Sequence, residues 1–498
     1  MAGNLVSPES GNPSWFSPGK LLIVFCVVNL FTYVDRGAIA SNGVNGSSGT
    51  CSESGICTGG SGIQGDFDLD NFEDGILSSA FMVGLLVSSP IFALLAKSIN
   101  PFKLIGVGLS VWTIAVIGCG FSFDFWSITI CRMLVGVGEA SFASLAAPFI
   151  DDNAPVSQKT AWLAAFYMCI PTGYAIGYVY GGLVGTYLNW RYAFWGEAIV
   201  MLPFAILAFI VTPLQLKGFS PVEPKKPLPD IETVDTKETK GDGPNRKLSV
   251  SFRSATSSYQ NHLSTFVKDT KVLLSEKVYV VSVLGACAYN FVLGAYSYWG
   301  PKAGKEIFNM TNADLIFGGI TVVCGIVGTL GGGYALDVIN STIPNAFKLL
   351  SISTFIGGTF CFAAFCFKSL YAYLALFAVG ELLVFATQAP VNFVNLHCVK
   401  PSLRPLSMAV ATVSIHVFGD VPSSPLVGVL QDYLNNWRET ALILTAILFP
   451  AAAIWTIGIF MHSVDRFYED SEPTMLAIDG ASRPLLDEQS AESNDSTL

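Results

Sequence analysis

The sequence predicts an all-α membrane protein of about twelve transmembrane helices in two halves of six. Of its 498 residues, 51% are hydrophobic and only 13% are charged, and the mean hydropathy is +0.53. A soluble protein of this length carries far more charge on its surface. Apolar segments long enough to cross a bilayer recur along the chain, and one long polar segment divides them into two sets.

Each predicted span is an apolar segment of about 20 residues or more, the length that crosses ~30 Å of hydrocarbon. The first follows a polar N-terminus and has no obvious small-residue cleavage site, so we expect a retained span rather than a signal peptide. The predicted spans are 20–40, 72–97, 101–122, 125–150, 158–186, 190–212, 277–300, 314–339, 344–367, 369–396, 404–432 and 437–463.

The polar segment between the sixth and seventh spans sets the domain boundaries. It is rich in Pro, Lys, Asp, Ser and Thr, a composition typical of a disordered linker. We expect an N-terminal half at 20–212 with a loop at 41–71, a linker at 213–276, and a C-terminal half at 277–463. A polar segment at 1–19 and an acidic tail at 464–498 flank them. Two sets of six helices are the plan of the major facilitator superfamily, whose substrate site lies between the halves.

Lysine and arginine in the short loops predict the orientation of the chain. The side richer in these residues is usually cytoplasmic. We therefore expect both termini and the linker in the cytoplasm, and the loop at 41–71 on the lumenal or outer side. The loop residues that favour this orientation are Lys97, Lys103, Lys159, Lys348, Lys400 and Arg404.

Charge and cysteine content exclude several kinds of partner. The net charge of −10 is unlike that of a nucleic-acid-binding protein, which is basic. No CxxC or Cys/His cluster indicates a metal site, so we expect no metal and no cofactor. Most of the 11 cysteines lie in apolar segments, but Cys51 and Cys57 lie in a polar Gly/Ser loop. They form a disulfide if that loop faces an oxidising lumen, or else remain free thiols.

Charged residues inside predicted spans are the candidate functional residues, because a charge in hydrocarbon is costly. Asp35 and Arg36 are adjacent near the end of the first span. Neighbours on a helix point about 100° apart, so they do not simply neutralise each other. We expect at least one to reach another helix or a water-filled cavity. The alternative is that both are solvated at the membrane interface.

The fourth and fifth spans carry two further candidate groups. Arg132 and Glu139 are seven residues apart and share one helix face. We interpret Glu139 as a protonatable carboxylate beside an arginine, the alternative being a static charge network. In the fifth span, Gly173 and Gly177 follow Pro171 at a spacing of four. This stripe predicts a packing face with a kink, and a role in gating motion rather than in chemistry.

The C-terminal half contributes polar side chains from three spans. Tyr289, Asn290 and Tyr296 in the seventh span are candidates for a cavity wall, whereas Tyr296 and the aromatic residues after it could instead form an interfacial belt. Glu381, Gln388 and Asn395 recur every seven residues on one face of the tenth span, which suggests access to water.

The eleventh span pairs His416 with Asp420, one helical turn apart. A His–carboxylate pair can exchange a proton near neutral pH. Pro422 and Pro425 are expected to break the helix just beyond, freeing backbone groups. A static hydrogen bond that caps this break is the alternative interpretation.

Four segments together resemble the spinster family of the major facilitator superfamily, and its plant branch in particular. They are "NLFTYVDR", "RMLVGVGEAS", "IPTGYAIGYVYGG" and "HVFGDVPSSPLVGVLQD", from the first, fourth, fifth and eleventh spans. Asp35, Arg36, Arg132 and Glu139 match the charged first and fourth helices of the family. The loop after the second span departs from the superfamily pattern, with Lys97 in place of an acid, whereas Asp337 retains the corresponding gating acid in the second half.

The resemblance implies a secondary transporter of a sphingolipid or lysophospholipid, in a late endosomal, lysosomal or vacuolar membrane. The plasma membrane and the mitochondrial membrane are the alternative locations. We expect a monomer that works by alternating access, with a lipid-like substrate, a coupled proton, membrane lipids around it and no nucleic acid.

The expected substrate-binding residues are Arg36, Arg132, Tyr289, Asn290, Tyr296 and Gln388, and the expected proton-coupling residues are Asp35, Glu139, Glu381, His416 and Asp420. Two rival hypotheses are a transporter of a small polar anion or sugar, and a non-transporting membrane sensor. An enzyme is not expected, because the sequence has no P-loop, GxSxG or HExxH motif.

Overall fold

The structure is a computed structural model that describes residues 18–51, 57–96, 99–153, 159–210, 268–310, 312–400 and 403–461. Lys97, most of the predicted linker and the acidic tail lie outside these residues. The described chain is helical apart from loops and one hairpin of two-residue strands. Eleven of its helical segments are long and apolar enough to cross a membrane.

The N-terminal half contains six long helices and a small lid of loop structure. Helix α1 is followed by the antiparallel strands β1 and β2 and the short helix α2, and five long helices complete the half. The elements are α1 (Pro18–Ala40), β1 (Thr50–Cys51), β2 (Cys57–Thr58), α2 (Gly62–Asp66), α3 (Asn71–Leu95), α4 (Pro101–Gly120), α5 (Phe125–Asn153), α6 (Lys159–Tyr187) and α7 (Trp190–Ile210).

The C-terminal half has six spans, of which the last three are each divided into shorter elements. A π-helical turn, His416–Asp420, separates two of these elements and is called the π-turn below. The helices are α8 (Lys277–Phe308), α9 (Ala313–Val338), α10 (Ile343–Cys366), α11 (Leu370–Phe385), α12 (Gln388–His397), α13 (Arg404–Ile415), α14 (Val421–Leu434), α15 (Trp437–Ala446) and α16 (Leu448–Ile459).

The glycine stripe of α6 packs against α1, as its spacing predicts. A Cβ atom on Gly177 would stand 2.3 Å from the backbone oxygen of Val34, and one on Gly173 would stand 2.5 Å from the Tyr33 side chain. Only glycine permits this approach, because a real Cβ cannot come so close to a backbone oxygen. Residues of α1 are thereby fixed relative to α6.

The two halves meet along two seams. One joins α3 to α14, where a Cβ on Gly75 would stand 2.6 Å from the Ser424 oxygen. The other joins α6 to α9, where Pro171 packs over Gly325. The side of the bundle that carries residues 41–71 is called the loop face, and the opposite side, where α7 ends and α8 begins, is called the linker face.

Two expectations about helix ends are wrong. Helix α8 continues past the predicted end at 300, through Pro301, to Phe308, because side chains beyond that point are buried against the N-terminal half rather than solvated. Pro422 and Pro425 do not break the eleventh span either. Pro422 lies in the first turn of α14, where a missing N–H costs little, and the irregularity is the π-turn just before it.

Candidate functional site

A small cavity lies between the two halves and is called the central cavity below. It is lined from α1, α3, α5 and α6 on one side and from α8 and the π-turn on the other. Its lining combines charged groups, hydroxyl groups and apolar side chains, including Arg36, Arg132, Asp420, Tyr174, Phe81 and Met82. Charged and apolar side chains in one lining match the chemistry of a ligand that has both a charged and an apolar part.

Two buried ion pairs join α1 to α5. Arg132 Nη1 donates to both carboxylate oxygens of Asp35, at 2.8 Å and 2.9 Å. Arg36 Nη2 donates to Glu139 Oε1 at 2.5 Å. The adjacent residues Asp35 and Arg36 therefore have separate partners, as their angular separation on the helix predicts. The alternative of solvation at the interface is wrong, because the Asp35 and Arg36 side chains are 0% and 11% exposed.

Of the two arginines in these ion pairs, Arg36 is more open to the central cavity. Its side chain is 11% exposed, and its guanidinium carbon lies 4.6 Å from the centre of the Tyr33 ring and 4.5 Å from that of Phe81. Its Nε has no hydrogen-bond partner among the described residues. Stacking on aromatic rings holds a guanidinium in place while its N–H edge stays directed at a ligand.

The π-turn brings the predicted histidine–carboxylate pair together. His416 Nδ1 lies 2.7 Å from Asp420 Oδ2, and Asp420 lines the central cavity. The two side chains are 24% and 14% exposed. Because π-helical turns often occur at functional sites, this pair remains a candidate for proton exchange.

The seventh-span residues expected to form a cavity wall lie elsewhere. Tyr289 is buried and donates to the Val384 oxygen at 2.8 Å, and Gln388 Nε2 donates to the Tyr289 hydroxyl at 3.3 Å. Tyr296 bonds Thr445 across the C-terminal half at 2.6 Å. These hydroxyl groups need partners when buried, and they find them inside their own half.

Asn290 and Glu381 also have partners within the C-terminal half. Asn290 Nδ2 donates to the Ala286 oxygen at 2.8 Å, one turn back on α8. Glu381 Oε1 accepts from Thr321 Oγ1 at 3.1 Å, and Oε2 has no hydrogen-bond partner among the described residues. Glu381 remains a proton-coupling candidate, whereas Asn290 does not line the central cavity.

Of the expected gating residues, Pro171 lies on the seam between α6 and α9, and Gly173 and Gly177 pack against α1. Asp337 is exposed near the linker-face end of α9. Its carboxylate accepts from Ser341 Oγ at 2.9 Å in the same half.

In β1 and β2 the register places Cys51 opposite Cys57. The predicted disulfide remains a prediction.

Sequence reasoning missed a buried polar cluster that closes the loop face. Lys302 Nζ donates to Asn45 Oδ1 at 3.2 Å and to Gln64 Oε1, and it lies 3.7 Å from Asp74 Oδ2. The Tyr298 hydroxyl donates to Asp74 Oδ1 at 2.8 Å. These five residues are called the loop-face lock below. They join α3 and residues before it to α8, so they hold the two halves together on this face.

Two smaller contacts flank the lock on the same face. Asp314 of α9 accepts from the backbone and side-chain nitrogens of Asn42, both at 2.9 Å. Asp432 at the end of α14 accepts from Asn71 Nδ2 at 2.6 Å and from the backbone of Phe72. Hydrogen bonds between the halves thus concentrate at the loop face, and the central cavity is closed on that side.

Sequence reasoning also missed Glu197 in the middle of α7. Its side chain is 2% exposed, and neither carboxylate oxygen has a hydrogen-bond partner in the described part of the chain. The rule that charged residues inside spans are functional candidates applies to it as to the others. Within the described residues, no group of three or more His, Cys, Asp or Glu side chains could hold a metal ion.

Comparison with known proteins identifies the family. The profile of the Major Facilitator Superfamily matches residues 49–419. A probable sphingolipid transporter, spinster homolog 2 of Arabidopsis thaliana, is 70% identical over 96% of this chain and 94% of its own length. A sphingosine-1-phosphate transporter of Xenopus tropicalis is 25% identical over 82% of this chain and 78% of its own length.

The fold is also that of solved transporters. A bacterial homolog to the human lysosomal transporter Spinster, in an inward-facing and unoccupied conformation, superimposes with a TM-score of 0.65 at 15% identity, covering 91% of this chain and 98% of its own. As expected from the missing catalytic motifs, the relatives are transporters and not enzymes. The chain therefore belongs to the spinster family, within the major facilitator superfamily of membrane transporters.

Proposed function

We propose that the protein is a proton-linked secondary transporter of a sphingolipid or lysophospholipid that works by alternating access. The observation that carries the proposal is the central cavity, where two arginines belong to an otherwise mixed polar and apolar lining between the two halves. A guanidinium offers parallel N–H donors that match a phosphate, and Arg36 supplies one here. The apolar lining, including Ile39 and Met82, suits the start of an acyl or sphingoid chain.

The choice of lipid over other substrates rests on the relatives. Spinster homologs of Arabidopsis thaliana at 70% and 62% identity are named as probable sphingolipid transporters, and the Xenopus tropicalis relative is named as a sphingosine-1-phosphate transporter. A phosphate headgroup on a single chain is common to sphingosine 1-phosphate and to lysophospholipids. We propose this class of substrate.

Alternating access would begin from the conformation described above. The loop-face lock closes one side of the central cavity, and breaking it while the linker face closes would expose the cavity on the other side. With the linker in the cytoplasm, as Lys and Arg in the loops predict, the present conformation is inward-facing. The bacterial homolog of the same fold is described as inward-facing as well.

Proton coupling is proposed from the buried carboxyl groups around the central cavity. Asp35 and Glu139 each share a buried ion pair with an arginine, and Asp420 shares a hydrogen bond with His416. Protonation of a carboxylate breaks such a pair and changes the balance between two conformations. The proposed location is the late endosomal, lysosomal or vacuolar membrane, where a proton gradient exists to be used.

The proposal is tested with purified full-length protein in proteoliposomes. Uptake of a labelled lysophospholipid or sphingoid-base phosphate is measured under an imposed pH gradient. Excess unlabelled lysolipid should compete, whereas a hexose or inorganic phosphate should not. Competition by the sugar or the small anion would favour the rival transporter hypothesis. No uptake of any of these substrates would favour the sensor hypothesis.

A further inference from the structure

Glu197 is a buried acidic residue of the N-terminal half that has no ion-pair partner among the described residues. It lies midway along α7 and is 2% exposed. Neither of its oxygens receives a hydrogen bond from any described N–H or O–H group. An ionised carboxylate that is buried without a partner is strongly disfavoured, so such a group normally carries a proton.

The neighbours of Glu197 come from every helix packed around it. Helix α7 packs against α1, α4 and α6, and Arg132 approaches from α5. Its charged neighbours are Asp35 and Arg132. Tyr180 of α6 is also close, but its hydroxyl donates to the Ala193 oxygen at 2.8 Å. On α4, the Cys119 thiol faces the same two charged residues.

Asp35 and Glu197 therefore meet as two carboxyl groups beside one arginine. Arg132 Nη1 is already occupied by both oxygens of Asp35. A hydrogen bond between two carboxyl groups requires that one of them carry a proton. Without that proton, two negative charges would face each other in a buried site, which is unfavourable.

Counting charges gives the number of protons. The buried cluster contains three carboxyl groups, on Asp35, Glu139 and Glu197, and two guanidinium groups, on Arg36 and Arg132. Three negative and two positive charges leave a net charge of −1, so one bound proton makes the cluster neutral. Both arginines are engaged with Asp35 and Glu139, which leaves Glu197 as the place for that proton.

We infer that Glu197 binds the exchangeable proton of the transport cycle, and that it binds one. The inference rests on the proposed proton-linked transport. When Glu197 is protonated, it donates to Asp35, and Asp35 stays paired with Arg132. When Glu197 releases the proton, its carboxylate competes with Asp35 for Arg132. Because Arg132 lines the central cavity, loss of the proton changes the charge that the substrate meets there.

The first experiment measures the proton itself. Infrared spectra of purified full-length protein, without substrate, are recorded from mildly acidic to alkaline pH. We expect an absorption band from a protonated carboxyl group that is lost in Glu197→Gln and retained in Glu381→Gln. Subtracting the spectrum of one variant from that of the other isolates this band. The inference would be overturned if the band persisted in Glu197→Gln and belonged instead to Glu381 or Asp35.

The second experiment measures coupling in proteoliposomes with the membrane potential clamped. One coupled proton supports up to about tenfold lysolipid accumulation per pH unit, since one pH unit is a tenfold difference in proton activity. Glu197→Gln should abolish accumulation yet retain exchange of labelled for unlabelled lysolipid. Glu439→Gln, an exposed acid at the start of α15, should accumulate like the unmodified protein.

The two experiments separate failure of this inference from failure of the proposed function. If the unmodified protein does not move lysolipid or ignores the pH gradient, the proposed function fails and the infrared result alone decides the place of the proton. Normal accumulation by Glu197→Gln overturns the inference while transport stands. Loss of folding in Glu197→Gln also counts against it, because glutamine has the shape and neutrality of protonated glutamate.

Discussion

Replacing Lys302 with methionine should open the loop face. Lys302 and Asp74 are 5% and 0% exposed, so the substitution leaves a buried carboxylate without its cation in the closed conformation. Removing one partner of a buried ion pair costs about 3–5 kcal/mol. Opening the loop face lets water reach Asp74, so this cost falls on the closed conformation alone. The ratio of closed to open molecules should fall on the order of a hundredfold or more, since each 1.4 kcal/mol is about tenfold.

The assay is the distance between spin labels placed on exposed positions of the two halves at the loop face. Tyr187 at the end of α6 and Tyr433 near the end of α14 are 79% and 86% exposed. Lys302→Met should move the distance distribution toward longer values. Lys305→Met, one turn further along α8, is the matched control and should leave it unchanged.

A double variant tests the physical reason. Asp74→Asn combined with Lys302→Met removes both charges, so the penalty of an unpaired buried charge disappears. The double variant should recover more of the closed population than Lys302→Met alone. An unchanged distance distribution in Lys302→Met would refute the reasoning, and so would a double variant as open as the single one.

Three further predictions concern packing, binding and oxidation. Gly177→Ala should destabilise the protein by about 1–3 kcal/mol, since its Cβ would overlap a backbone oxygen of α1, whereas Gly319→Ala, with open space around it, should not; melting curves in detergent decide. Arg36→Lys should keep the buried charge but weaken lysolipid binding about tenfold, the effect of roughly 1.4 kcal/mol for one lost charge-assisted hydrogen bond, as measured by calorimetry. Peptide mass spectrometry without reductant should find Cys51 linked to Cys57, whose backbones already face each other; two free thiols would contradict this.

Much of the fold follows from hydropathy, because a span needs a fixed length of apolar chain whatever its neighbours are. The pairing of Asp35 and Arg36 with different residues also follows, since neighbours on a helix point in different directions. What hydropathy does not contain is which helix a side chain meets. The depth of Tyr289 and Tyr296 in the span predicts that they line the cavity, yet packing within the half engages both hydroxyls.

The functional importance of Lys302 and that of Glu197 are hard to predict from the sequence for different reasons. Lys302 follows Trp299 and Pro301, a combination that is typical of the end of a span, and its burial depends on residues of the other half that sequence periodicity does not place. Glu197 belongs to no recognised motif, and the general rule for intramembrane charges would have found it. A single charge in an otherwise apolar segment is thus a better indicator of a functional residue here than membership of a motif.

The loop-face lock also bears on how the chain is made. Lys302 follows its partners Gln64 and Asn45 by 238 and 257 residues. The N-terminal half therefore enters the membrane with Asp74 before its cation has been synthesised, and contacts so distant in sequence form late in folding. An isolated N-terminal half would carry this unpaired acid at its surface toward the missing partner. If the two halves are expressed as separate chains, the amount of N-terminal half should consequently depend on how soon it associates with the C-terminal half, before it is degraded.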